Sequence, residues 1–299
     1  MRFSILAALL SLTACTTEST SGSDAGRADA ANLDAAVDAA PICTVMRLTT
    51  VSGSIVDESG APIEGALAQF CVHLEDGGAS CIMPTAADAT GVFHVAVPPD
   101  VSCIVSGAIR AFFPDGLHAD TYVHTEIASA AAGEITWTQP FVVYAVEPPD
   151  SLPAYGDGEA MRRVDFRDGL SLDVTPSALS IMRNYNELAA RKVPLSPSAP
   201  AFMHDAPALL GLYALKQNSL VDAQFTIHIA NDTHLAAGTR VALYVLGGIF
   251  TVLADGTQVN EADFQQYGMA TVSADASEIV SDEGSALPFM TWLGYRVAE

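Results

Sequence analysis

The stretch TVSGSIVDESGAPIEGALAQF, residues 50–70, decides the fold of the first half of the chain. Residues 51–56 alternate between apolar and small polar side chains, which is typical of a β-strand with one buried face. Residues 57–60 are of the types that favour tight turns, and Pro62 stiffens the loop before the next run. Alternation returns over 66–72. The stretch therefore predicts two strands joined by a short polar connection.

Two later stretches repeat this organisation. ADATGVFHVAVPPD, residues 87–100, has a turn at 88–91 and then a strand in which Phe93 and Val95 share one face, so His94 belongs on the solvent face. CIVSGAIRAFF, residues 103–113, predicts a further strand. Short strands at this spacing, separated by glycine and proline turns, predict a β-sandwich.

Two segments resemble the carboxypeptidase regulatory-like domain, a transthyretin-like sandwich of seven strands. They are SGSIVDESGAPIEGA (52–66) and DATGVFHVAVP (88–98). The resemblance covers about residues 44–140 and implies that fold. Each matching residue has a structural role, in a turn, a stiff loop or the core between the sheets. The resemblance therefore implies a fold and no chemistry.

A second β-rich region follows WTQPFVVYAVEPPDSLPAYGDG, residues 137–158, whose prolines and glycines mark a boundary. We predict an all-β protein with two β-sandwich domains, at 42–145 and 146–299. Residues 225–229 and 241–245 alternate, with a turn at 236–239, so the sequence predicts a hairpin. A helix over 178–193 is an alternative for that stretch, although residues 184–186 interrupt its apolar face.

Two segments of this second region, GLSLDVTPSAL (169–179) and FTIHIANDTHLAAGTRVALY (225–244), resemble ZU5-like surface domains. The resemblance implies a second β-domain. Ala276 departs from the pattern, because such hairpins usually carry glycine at that place.

The first fifteen residues indicate export. Met1 and Arg2 begin the chain with a positive charge, and 5–14 form an apolar run far shorter than the roughly 20 residues of a membrane-spanning helix. Residues 12–15, LTAC, resemble the lipobox of bacterial lipoproteins. This resemblance implies a signal peptide over 1–14, diacylglycerol on Cys15 and, because Thr16 follows, a place at the outer membrane. An ordinary signal peptide with an incidental cysteine is the alternative.

Residues 15–41 predict a flexible tether, because they are mostly alanine, aspartate and small polar residues with no aromatic side chain. The whole chain carries 13 basic and 35 acidic residues, a formal net charge of −22. This balance argues against nucleic-acid partners and against direct adsorption to anionic membranes. Six basic residues concentrate in one stretch and could bind an anion or simply balance nearby carboxylates: Arg162, Arg163, Arg167, Arg183, Arg191 and Lys192.

Four cysteines remain after Cys15, all in the first domain, and an even number in an exported protein predicts two disulfides. Cys71 and Cys81 lie symmetrically about a hairpin turn at 76–77, so we favour Cys71–Cys81 with Cys43–Cys103 among the three possible pairings. A zinc site lacks the usual ligand spacing.

No nucleophile elbow, metalloprotease motif or phosphate-binding glycine loop occurs in the sequence, so we predict neither an enzyme nor a cofactor. The close histidine and aspartate pairs, His118 with Asp120 and His204 with Asp205, are expected at the surface. The loop 254–263 could hold calcium, but its order of residues is not that of an EF-hand. Its candidate ligands are Asp255, Asn260, Glu261 and Asp263.

The sequence therefore favours a non-catalytic lipoprotein, anchored in the membrane by its lipid, that binds a glycan or an envelope protein. A structural spacer of an outer-membrane assembly is the alternative. Trp137 and Trp292 have apolar neighbours and are expected in the core, which weakens the glycan interpretation. The predicted contact loops are 75–80, 114–120 beside an exposed Phe113, and 255–263.

Overall fold

The computed structural model describes residues 47–114, 117–126, 133–179, 185–195, 200–205, 207–216, 225–248, 251–253 and 255–299. The predicted signal peptide, Cys15, the tether and Cys43 lie outside these ranges. Residues Cys43–Glu299 belong to one compact unit. The division of this unit into two domains, with a boundary between residues 145 and 146, stays a prediction.

The all-β class is confirmed. The strands of the first half are β1 (Thr50–Val56), β2 (Leu67–Leu74), β3 (Ala79–Cys81), β4 (Thr85–Ala86), β5 (Val92–Ala96), β6 (Ile104–Phe112), β7 (His118–Ala119), β8 (Thr121–Glu126), β9 (Glu134–Thr136), β10 (Phe141–Val142) and β11 (Tyr144–Ala145). The strands of the second half are β12 (Arg162–Asp165), β13 (Leu170–Val174), β14 (Ala189–Lys192), β15 (Gly211–Lys216), β16 (Thr226–Ala230), β17 (Arg240–Leu246), β18 (Phe264–Val272), β19 (Glu278–Ser281) and β20 (Trp292–Val297). Short 3-10 helices lie at Arg167–Gly169, Pro176–Ala178 and Ala201–Asp205.

The first half is a sandwich of two sheets. One sheet has the order β10-β1-β5 with β9 also beside β1, and the other has the order β3-β2-β6-β8 with β4 beside β2. The alternation in β1 places Val51 and Ile55 in the core, where Phe70, Phe93 and Phe141 are also buried. His94 is exposed, as predicted.

The second half is a single nine-stranded sheet, β12-β13-β16-β19-β18-β17-β20-β15-β14, curled into a half-barrel around its own apolar core. The predicted hairpin between residues 225–229 and 241–245 is wrong. Both stretches are strands, but β16 pairs with β13 and β19, while β17 pairs with β18 and β20. Alternation identifies a buried face, but it does not specify which strand lies alongside.

Two further expectations concern single stretches of the second half. Residues 189–192 form β14 rather than part of a helix, because β15 offers that stretch a pairing partner in the sheet. Ala276 has a φ of 57° in the turn between β18 and β19. This left-handed conformation is the one that favours glycine, which accounts for the glycine expected at this place.

A third apolar cluster joins the two halves. Trp292 of β20 is fully buried and donates from Nε1 to the backbone oxygen of Asp120 at 2.6 Å. The indole ring packs edge-to-face on Tyr144 and Phe202, with ring centroids 5.2 and 4.9 Å away. The expected core position of Trp292 is confirmed, and its core is the one that both halves share.

Candidate functional site

An open groove runs along one edge of the first sandwich. We call it the edge groove; it has a volume of about 510 Å³ and is lined by Ser80, Cys81, Ile82, Met83, Pro84, Thr85, His94, Ala96, Pro98 and Val101. The segment between β3 and β4 forms one wall, and β5 with the residues after it forms the other. Met83 projects from the first wall with 81% of its surface exposed.

The strand β5 has a ladder partner on one side only. It pairs with β1 from Thr50↔Ala96 to Ser54↔Val92, and its other edge has no paired strand among the described residues. Phe93 and Val95 fix β5 to the core, so His94 and Ala96 are held exposed on the groove. A rigid strand with an unpaired edge therefore lies beside apolar side chains that solvent reaches.

The two halves meet at a second notable site, a cluster of charges that is buried except for the partly exposed Arg110. We call it the junction cluster: Arg110, Asp120, Lys216 and Glu261. Arg110 Nε donates to Asp120 Oδ2 at 2.7 Å, and Lys216 Nζ lies 3.4 Å from Asp120 Oδ1. Lys216 also donates to the backbone oxygen of His118 at 2.7 Å. The expectation that Asp120 lies at the surface is wrong, because the second half covers it and leaves it 3% exposed.

Glu261 enters this cluster from the loop before β18 and is 4% exposed. Burial raises the pKa of its carboxyl to about 7, although the charge of Arg110 acts in the opposite direction. The carboxylate oxygen and the sulfur atoms of Cys71 and Cys81 lie within 4.8 Å of one another. The sulfurs are joined in the predicted Cys71–Cys81 disulfide, so they are not thiolate ligands for a metal in this state.

The other predicted loops differ in exposure. The turn 75–80 is mostly exposed, as expected of a contact loop. Phe113 is not exposed as predicted: it packs against the core of the first sandwich, with its ring 5.6 Å from that of His118. Trp137 is also partly buried against that core.

The loop 255–263 does not gather its carboxylates around one point. Asp255 accepts from the backbone N–H of Thr257, and Asp263 accepts from the Asn260 side chain. Glu261 faces the junction cluster instead. The carboxylates of this loop in the described part of the chain therefore form no common cation site.

The described residues of the basic stretch in the second half form ion pairs, as the charge-balancing interpretation expects. The pairs are Arg162 with Asp157, Arg163 with Asp165 and Glu278, Arg167 with Glu147 and Asp150, Arg191 with Glu58, and Lys192 with Asp232. Arg183 lies outside the described residues, as do the side chains of His204 and Asp205. No helix in the described ranges has the length and apolar character needed to cross a membrane.

Sequence reasoning missed both sites. The edge groove had one indication, the apolar residues Ile82 and Met83 directly after a predicted strand. The burial of Glu261 had none, because its loop is polar throughout and only the contact with the first half buries it.

No protein-family model and no curated protein sequence matches the chain. Several solved structures show weak similarity, among them the following three. The 3-chlorocatechol 1,2-dioxygenase of Rhodococcus opacus 1CP is 14% identical over 36% of this chain and 62% of its own, with a TM-score of 0.24. A streptococcal ancillary pilin is 11% identical over 82% and 51%, with a TM-score of 0.22. The major pilin SpaD of Corynebacterium diphtheriae is 10% identical over 83% and 55%, with a TM-score of 0.23.

The chain thus spans about half the length of the two pilins and less than two thirds of the dioxygenase. Similarity this weak carries no functional argument. The all-β architecture rests on the strand pairing of the chain itself.

Proposed function

We propose that the chain is a lipid-anchored protein of the cell envelope, at the outer membrane, that works without catalysis by binding a partner protein. An extended segment of that partner lies in the edge groove and adds a strand to β5. The observation that carries this proposal is the unpaired edge of β5 beside apolar side chains that solvent reaches. Backbone hydrogen bonds to such an edge supply affinity, and pockets for alternate side chains supply specificity.

The described residues offer no exposed aromatic platform, which favours a protein partner over a glycan. Sugar rings stack on exposed aromatic faces, yet the large apolar side chains exposed in the described residues are all aliphatic: Met83, Leu117, Met161, Val252 and Val297. Both tryptophans pack in cores. An aliphatic groove with a free strand edge suits the backbone and apolar side chains of an extended peptide.

The charge of the chain defines the partner segment further. A net charge of −22 repels acidic segments and attracts basic ones at long range. We therefore expect apolar residues at alternate positions of the segment, with lysine or arginine flanking them.

The anchor follows from the sequence around Cys15. Two or more acyl chains on one cysteine satisfy the two-signal requirement for stable membrane attachment. The predicted tether is about 26 residues long, and a flexible coil of that length has a root-mean-square span of about 30 Å. It would hold the folded part clear of the lipid headgroups, where the edge groove is accessible to other envelope proteins.

Site-specific photocrosslinking tests the groove. A benzophenone amino acid replaces Met83 in the full chain, and Met161, which is 64% exposed in the second half, is replaced in a matched control. We expect a discrete protein adduct from position 83 after irradiation of intact cells, mapped by mass spectrometry to an extended apolar segment, and no such adduct from position 161. Three results would contradict the proposal: adducts of equal yield from both positions, adducts with polysaccharide alone, or no adduct from position 83. The absence of any adduct from position 83 would favour a structural spacer.

A further inference from the structure

A buried carboxyl beside a disulfide is the feature of the fold that the binding function leaves unexplained. Glu261 is 4% exposed, and no hydrogen bond or salt bridge to its carboxyl is found in the described part of the chain. Its carboxylate oxygen lies within 4.8 Å of both sulfur atoms of the Cys71–Cys81 disulfide. A carboxyl with so little access to solvent and no hydrogen bond within the described part of the protein calls for a functional explanation.

The charges around Glu261 do not supply such a partner. Arg110 on β6 is the charged group that acts on its pKa, but the Arg110 guanidinium is bound to Asp120. Asp120, between β7 and β8, also receives Lys216 of β15, and Tyr122 of β8 interacts with Arg110 as well. Each of these groups has a partner within the junction cluster, while the carboxyl of Glu261 faces the disulfide.

The two sulfur atoms differ in access. Cys71 is 2% exposed on β2, which lies between β3 and β6. Cys81 is half-buried and lies directly opposite Cys71 on β3, the edge strand of the sheet. A thiolate arriving from solvent therefore reaches the sulfur of Cys81 first, and Cys71 is the buried leaving group.

We propose that Cys71–Cys81 is a redox-active disulfide that exchanges with a dithiol of a partner protein, and that Glu261 is the catalytic acid and base of the exchange. The partner thiolate attacks Cys81 Sγ and forms a mixed disulfide. The electron pair of the broken S–S bond goes to Cys71 Sγ, which takes the proton of Glu261. The Glu261 carboxylate left by that step takes the proton of the partner's second thiol, whose thiolate attacks the partner sulfur of the mixed disulfide and releases Cys81 as a thiolate. The partner leaves oxidised to a disulfide, and Cys71 and Cys81 are reduced.

The environment of Glu261 suits this role. Burial raises its pKa to about 7, so the carboxyl keeps its proton up to neutral pH and can give it to a thiolate that forms beside it. Cys81 also lines the edge groove, but the exchange and its test need no peptide bound there.

The test is the pH dependence of disulfide reduction in the full chain. Dithiothreitol reduces the protein between pH 5.5 and 8.5, samples are alkylated, and mass spectrometry quantifies the peptides of Cys71 and Cys81 alone. The rate constant is divided by the concentration of dithiothreitol thiolate, which removes the ionisation of the reductant. We expect it to fall about tenfold from pH 6 to pH 8 in the wild type, as the acid loses its proton.

Two variants and a control complete the experiment. Glu261→Gln should give a rate constant independent of pH and about tenfold below the wild type at pH 6. Asp263→Asn, in the same loop, should leave the wild-type profile unchanged. If Glu261→Gln does not fold, Glu261→Asp retains a carboxyl and should retain a sloping profile. Three results would overturn the proposal: a wild-type rate constant that does not change with pH, equal profiles for the wild type and Glu261→Gln, or a disulfide that is reduced only after unfolding in urea.

Discussion

Replacing Trp292 with alanine should destabilise the protein severely and separate the unfolding of its two halves. Trp292 is fully buried between Tyr144 of the first half and Phe202 of the second. Truncating a buried tryptophan to alanine costs about 3–5 kcal/mol. The change also removes the hydrogen bond from the indole N–H to the buried backbone oxygen of Asp120, which adds about 1–3 kcal/mol.

The expected total, about 4–8 kcal/mol, is comparable with the whole stability of a typical domain, about 5–15 kcal/mol. Urea unfolding followed by circular dichroism measures it, and we expect two transitions in the variant where the wild type has one. Trp292→Phe keeps a ring but loses the donor, so it should cost less than the alanine variant. Met161→Ala, at an exposed position, should stay within about 0.5 kcal/mol of the wild type.

A loss below about 1 kcal/mol for Trp292→Ala would refute this reasoning, since no buried tryptophan in a shared core is so dispensable. Loss of partner binding with unchanged stability would refute it equally, because Trp292 would then act as a contact residue.

Further predictions concern four other positions. Ala276→Gly should raise the free energy of unfolding by about 0.5–1 kcal/mol, because it relieves a left-handed alanine at φ 57°; Gly169→Ala, at φ 76° and with a new Cβ only 2.6 Å from that of Ala230, should lower it in the same urea assay. The stability of the wild type should fall as pH rises from about 4.5 to about 7, because folding raises the pKa of Glu261 and its ionised form is disfavoured in the folded state. Glu261→Gln should remove that fall, and an unchanged slope would show that another group titrates. Cys15→Ala should abolish labelling by a fatty-acid analogue in cells, and an unlabelled wild type would disprove the lipid anchor.

Much of the first sandwich could be predicted, because its signals are local. Alternation in 51–56 and 92–97 and turns such as 57–60 require only neighbouring residues, and the structure places β1 and β5 there. The signal for the Cys71–Cys81 disulfide was also local in the sequence, because the two residues flank one hairpin turn and lie opposite each other on its two strands.

The pairing in the half-barrel could not be predicted in the same way. The strands β16 and β17 follow one another in the sequence, yet β19 and β18 lie between them in the sheet. The partner of a strand depends on distant residues, and a pattern of period two carries no information about them.

The candidate sites depend on tertiary contacts for the same reason. Asp120 and Glu261 have the sequence context of surface residues and become buried only because the second half covers the first. The edge groove exists because the segment between β3 and β4 ends beside an unpaired β5, and neither segment alone indicates it.

Selection of peptides against the full chain tests the proposed function most directly. A phage library of random twelve-residue peptides is selected on the wild type, and the recovered peptides are measured by calorimetry on the wild type, on Met83→Lys and on Met161→Lys. We predict extended sequences with apolar residues at alternate positions and flanking basic residues, whose binding falls at least tenfold in Met83→Lys and is unchanged in Met161→Lys. Recovery of no such sequences, or equal affinity for the wild type and Met83→Lys, would contradict a binding function in the edge groove.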